Sequence, residues 1–172
     1  MKLENELVRL RALEPGDLDL LYSWENNPAV WGVTNTLIPF SKETLRKYID
    51  SVQDIFADRQ FRYVIESVAE NRPVGLMDLF EYDPIHHRVG LGVLIASEGD
   101  RHKGFAKSAL QITLVYCRDI LQLKTVFCNV LRSNEVSVQL FSGQGFLVSG
   151  TKHSWHRAGS VYEDEFFMQK IF

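Results

Sequence analysis

Three cations and a glycine stand together in 101-RHKGFAKSAL-110, where Arg101, Lys103 and Lys107 surround Gly104. The stretch follows an apolar run, 88-RVGLGVLIA-96, and reads as the first turn of a helix. A helix starting near Gly104 presents its first N–H groups and the positive end of its dipole to whatever lies beyond the preceding strand. A residue without a side chain lets an anion approach that backbone closely. The chemistry that fits is the holding of a phosphate or, better, a pyrophosphate. A solvated loop with Gly104 as an ordinary turn residue accounts for the stretch equally well, so it does not decide between the two. Other phosphate motifs are wanting: there is no Walker loop, and Gly90 and Gly92 start a GxG whose next position, 95, is Ile inside a strand pattern.

The elements that must position this loop belong to an ordinary water-soluble chain. Its 172 residues, 45% apolar and 24% charged, fit one domain over 1–172 with a single substantial core. A net charge of −3 argues against nucleic acid as the main partner. The first 21 residues mix acids and bases with leucines, unlike a signal peptide, and no run of about 18 apolar residues suits a membrane span. Two cysteines, Cys117 and Cys128, without a CxxC or nearby histidines, point to reduced side chains in a cytoplasmic protein and to no metal site.

Alternation predicts a strand over 7–13, and Pro15 and Asp17 start a helix that stops at Asn27-Pro28. A second helix is expected over 41–58, then a hairpin of 61–67 and 74–83 around 70-ENRP-73, and a third strand over 88–96. Residues 104–121 carry two adjacent apolar stripes and read as a helix with a broad buried face. A strand follows over 125–131, which implies a parallel crossover. A short helix from Asn134 ends at Gly143 or Gly145, and 146–155 and 161–172 form a last hairpin around 156-HRAGS-160. The fold class is therefore α+β, a mixed and mostly antiparallel sheet with flanking helices.

The order Arg101-His102-Lys103-Gly104-Phe105-Ala106 resembles the Arg/Gln-x-x-Gly-x-Gly/Ala signature of the GNAT family of N-acetyltransferases. At the expected distance follows 134-NEVSVQLFSGQGF-146, similar to the family's Asn…(Ala/Ser)…Gly-Phe segment, and the element order matches over essentially the whole chain. The resemblance implies a splayed pair of parallel strands in mid-sheet, with acetyl-CoA as co-substrate. Its pantetheine would bond the main chains of Val93, Leu94 and Ile95 in the gap. Its pyrophosphate would sit on residues Arg101 to Lys107, with Asn134, Ser137 and Phe141 completing the cofactor site.

Transfer to an amine needs a neutral nitrogen, a stabilised oxyanion and a proton for the leaving thiolate. Asp78, Glu81 and Asp83 are candidate bases near the expected acceptor cleft, and Glu81 is the choice here; His86 and His87 are further candidates. The N–H of Leu94 or a neighbour would meet the oxyanion. Many family members carry a Tyr seven residues after the Asn, where this chain has Phe141, so Ser137 is the expected helper for the thiolate. The acceptor is left as a polyamine, a small amine or a peptide N-terminus: 81-EYDPIHHR-88 is similar to spermidine acetyltransferases, and 150–167, with Trp155, Tyr162 and Asp164, to the ribosomal-protein branch. A homodimer is a family-level expectation. A CoA-binding module without catalysis is the alternative that Phe141 keeps open, and ATP or NAD binding is a third reading that lacks its motifs.

Overall fold

A computed structural model describes residues 2–28, 31, 38–51 and 54–172. Seven strands, β1 (Val8–Ala12), β2 (Phe61–Ser67), β3 (Arg72–Asp83), β4 (Arg88–Ile95), β5 (Thr125–Leu131), β6 (Leu147–Ala158) and β7 (Val161–Ile171), form one sheet in the order β1-β2-β3-β4-β5-β7-β6. Every neighbouring pair is antiparallel except β4 and β5. Among the described residues the helices are α1 (Leu18–Glu25), α2 (Lys42–Asp50), α3 (Ile55–Asp58), α4 (Phe105–Asp119) and α5 (Glu135–Ser142). The mixed α+β class and the central parallel pair agree with the expectation. None of these helices is long and apolar enough to cross a membrane.

The two faces of the sheet are covered by different helices. On one face, α4 buries Phe105, Ala109, Leu110, Ile112 and Leu114 against Ile65, Met77, Leu79, Val89, Leu91 and Val126. On the other, Leu21 of α1 and Leu45 and Ile49 of α2 pack on Val64 and Leu76. Strand alternation accounts for the division, since Leu76 and Met77 are consecutive and point to opposite faces.

The pairing of β4 with β5 covers only Arg88↔Thr125, Val89↔Val126 and Gly90↔Phe127. Beyond that point β4 stays with β3 as far as Ile95, while β5 stays with β7 as far as Leu131. The strands therefore part, and each loses its ladder on the facing edge. Main-chain polar groups inside a sheet need partners, and beyond Gly90 and Phe127 these two strands do not supply them to each other.

Three expected boundaries shift. The helix expected over 41–58 is interrupted: α2 ends at Asp50 with Ser51 extended, and Asp54 caps the separate turn α3 by accepting from Phe56 N; residues 52 and 53 lie outside those described. The hairpin turn contracts to 68–71, with Asn71 taking a left-handed φ of 47°, and β3 starts at Arg72. The last hairpin is longer than expected, with only 159 and 160 between β6 and β7, because Ser154 at φ 50° sits in a register irregularity that lets the strands continue pairing.

Candidate active site

On the α4 face, the loop leaving β4 is fixed from beneath. Asp100, only 4% exposed, accepts from both terminal nitrogens of Arg72 at 2.8 Å each and from Lys103 Nζ at 3.2 Å. The Arg72 hydrogen bonds, helped by Lys103 and opposed by desolvation, hold its carboxyl at a pKa of about 2. From this anchor the chain passes through His102 at φ 61° and Gly104 at φ 87°. The first bond of α4 runs from Ser108 N to Gly104 O at 2.9 Å, which leaves the N–H groups of Phe105, Ala106 and Lys107 ahead of the helical ladder.

A cavity of about 550 Å³ opens over these groups, lined by Arg101, His102, Gly104, Phe105, Ala106 and Lys107, and reaching Val93, Leu94 and Ile95. Two of the expected set do not line this cavity: Lys103 turns to Asp100 and holds the loop, and Phe141 lines the second cavity described below.

Of Leu94 and its neighbours, strand parity separates those whose N–H faces the gap. Ala96 N donates to Val74 O at 3.1 Å on the β3 side, whereas His87 O accepts from Lys124 N and Thr125 N at 2.8 and 3.1 Å on the β5 side. Main-chain groups alternate sides along a strand, so Val93 and Ile95 face the gap and Leu94 faces β3. The Leu94 carbonyl lies so near β3 that a Cβ built on Gly75 would stand 2.1 Å from it. The side chain of Leu94 lines the site, but its N–H is directed away from it.

A second cavity of about 550 Å³ lies on the α1–α2 face, lined by Glu25, Tyr48, Arg62, Asp78, Phe80 and Asn129 among others. Val93, Leu94, Asn134 and Ser137 line both cavities, so the two meet at the parted strands. In the second cavity Arg62 gives Nε and Nη2 to Asp78 at 2.6 and 3.0 Å and Nη1 to Glu25, and its guanidinium lies 5.8 Å from the centre of the Tyr48 ring. Burial opposes the charge of Arg62, but Asp78, with smaller contributions from Tyr48 and Glu25, outweighs it and raises the pKa. Gly90 makes room for the wall of this cavity, because a Cβ there would meet the Phe80 ring at 2.3 Å.

Glu81 is not brought together with the other site residues. The register shifts between Phe80 and Asp83, and the extra residue places Glu81 at φ 49°, exposed and off the strand's alternation. It lines a separate cavity of about 620 Å³ with Arg59, Asp83, His86 and Arg88. There Asp83 is held at a pKa of about 2 by the His86 N–H and imidazole, the ring nitrogen lying 2.7 Å away. Asp78, two residues before the shift, stays in the second cavity.

Between the cavities, Asn134 caps α5 by accepting from Ser137 N at 3.2 Å. Among the described residues the Ser137 hydroxyl has no hydrogen-bond partner. Phe141 is 3% exposed, stacks edge-on to Phe146 at 5.1 Å, and gives the cavity an apolar edge. Both cysteines are buried, and desolvation pushes each thiol up to about 12. No group of three or more His, Cys, Asp or Glu among the described residues is placed to hold a metal.

Arg62 and Glu25 had no motif to announce them. Their one signal in the sequence is a charge inside the apolar strand 61-FRYVIES-67 and an acid at the end of an amphipathic helix. Gly75 showed even less, since its need is set by a neighbouring strand.

A family model described as an acetyltransferase (GNAT) domain matches residues 8–147. The chain belongs to the GNAT acetyltransferases and is an acyltransferase by class. It is 28% identical over 151 residues to a spermidine N(1)-acetyltransferase of Vibrio cholerae, covering 85% of this chain and 82% of that one. The Escherichia coli (strain K12) spermidine N(1)-acetyltransferase is 26% identical over 148 residues, 83% of this chain and 74% of its own length. The crystal structure of spermidine N-acetyltransferase from Vibrio cholerae in complex with CoA and spermine matches with a TM-score of 0.87 at 26% identity, over 97% of this chain and 96% of that one.

Proposed function

We propose that this protein transfers the acetyl group of acetyl-CoA to a primary amine by direct attack of the nitrogen on the thioester. The observation that carries the reading is the meeting of two cavities at parted strands, with an anion-suited loop in one and carboxylates in the other. The residues present fit CoA: the N–H groups ahead of α4, with Arg101 and Lys107, suit its pyrophosphate. The free edge of β4 at Val93 and Ile95 suits the amides of its extended arm.

Bond making is then a matter of placement. The amine enters from the Asp78 side, loses its proton through water to bulk, and adds to the acetyl carbonyl; Asp78 and Glu25 favour the amine's approach by their charge. The Val93 N–H, directed into the gap, stabilises the oxyanion. A C–N bond forms, the C–S bond breaks, and the departing thiolate receives a proton relayed by the Ser137 hydroxyl. With a thiol pKa near 8.5 by analogy with cysteine, this step needs no strong acid, which is compatible with Phe141 in place of a tyrosine.

The acceptor belongs to the amines: a polyamine, a small amine or a peptide N-terminus. The spermidine N-acetyltransferase relatives support an amine acceptor, and the dodecameric structure known for the Vibrio cholerae protein supports self-association. To test the reading, purified protein is incubated with acetyl-CoA and each amine class while thiol release is followed and products are weighed by mass spectrometry. An acetylated amine formed in step with free CoA is the expected result. Tight acetyl-CoA binding with every amine unmodified would leave a binding module instead.

A further inference from the structure

The charge of the acceptor cavity narrows the amine, provided the transfer reading above holds. Among the described residues the lining contains two carboxylates, Glu25 and Asp78, and one guanidinium, Arg62, a net of one negative charge. Both carboxylates spend hydrogen-bonding capacity on that guanidinium, Asp78 with both oxygens. The rest of the described lining is neutral, with Thr44, Gln60 and Asn129 among apolar and aromatic groups such as Phe40, Phe80 and Leu131. The stretch joining two lining residues, 26-NNPAVWGVTNTLIPF-40, contains no Asp, Glu, Lys or Arg. Its ends are tied to each other, Asn26 Nδ2 to Phe40 O at 3.0 Å and Phe40 N to Asn26 Oδ1 at 2.7 Å. The α2 wall adds no acidic excess, since Lys42, Arg46 and Lys47 outnumber Glu43 and Asp50.

A charge moved out of water is costly unless an opposite charge meets it. One ammonium finds a net negative charge here, and the second and third of a polyamine find none. We infer that the acceptor is a primary amine bearing a single positive charge on an uncharged, apolar or aromatic body. Such an amine is offered by a free monoamine or by the α-amino group of a peptide that begins with apolar residues. This differs from the acceptor in the names of the spermidine N-acetyltransferase relatives, with which the chain shares 28% and 26% of the aligned residues.

The test compares kcat/KM for spermidine, spermine, 2-phenylethylamine and an amide-capped tetrapeptide with uncharged side chains and a free apolar N-terminal residue, at low and at moderate ionic strength. One of the two monocations is expected to exceed both polyamines by about tenfold or more, with weak salt dependence. Which monocation leads identifies the source. Gln60→Glu, which adds a carboxylate to the cavity wall, is expected to move the spermidine-to-monoamine ratio about tenfold toward spermidine. Spermidine or spermine equalling or exceeding both monocations in the wild type overturns the inference while leaving acetyl transfer intact. Absence of acetylated product from all four overturns the transfer reading, and this inference with it.

Discussion

Asp100 shows how a single residue ties stability to the loop before α4. Its pKa of about 2, against an ordinary 3.8, means that its charged form is favoured by folding. The stabilisation it contributes is complete above about pH 4 and is lost as pH falls through the folded value. Melting temperature should therefore drop between pH 4 and pH 2, and less steeply in Asp100→Asn, which at neutral pH should also bind acetyl-CoA more weakly. Ser137 is the residue proposed for the other end of the reaction. Ser137→Ala should lower kcat about tenfold below the thiol pKa near 8.5, with a smaller deficit above it, where the thiolate leaves without needing a proton. A pH–rate profile parallel to that of the wild type would remove the relay. Asp78→Asn should cost about 10- to 100-fold in kcat/KM for the amine with little change in acetyl-CoA binding, because its carboxylate lines only the acceptor cavity.

At the scale of elements, the turn into α4 and the approach of β3 to β4 both depend on glycine. Gly104 holds φ 87°, and a Cβ there would also touch Leu7 at 3.4 Å, so Gly104→Ala should destabilise by about 1 kcal/mol and raise the KM for acetyl-CoA. Gly75→Ala drives a methyl into the Leu94 carbonyl and forces the backbone to move, at about 1–3 kcal/mol by thermal or urea unfolding. The first glycine was legible in the sequence, standing among cations before a helical pattern. The second was not, since its need arises from register with a strand some 20 positions away in the chain. The same limit explains Glu81 and Leu94. Period-two alternation sorts side chains onto faces, but it does not reveal a bulge at 80–83 or which edge of β4 a given N–H addresses.

Across the whole molecule, the sheet order and its one parallel pair follow from local patterns: three strands joined by short turns, a helix with a broad apolar face, then a strand and a final hairpin. The Glu25–Arg62–Asp78 cluster unites α1, β2 and β3 from positions 53 residues apart in sequence, and no local pattern encodes such a meeting. Two cavities share Ser137 and Val93, and on the proposed reading, with co-substrate in one and amine in the other, direct transfer is the natural chemistry. No activated thiol stands between them, since Cys117 and Cys128 are buried with thiols at about 12. Initial-velocity kinetics with acetyl-CoA and the preferred amine varied together, combined with the intact mass of protein incubated with acetyl-CoA alone, test this most directly. Intersecting double-reciprocal lines and an unmodified protein mass are predicted. Parallel lines with an acetylated protein intermediate would contradict it.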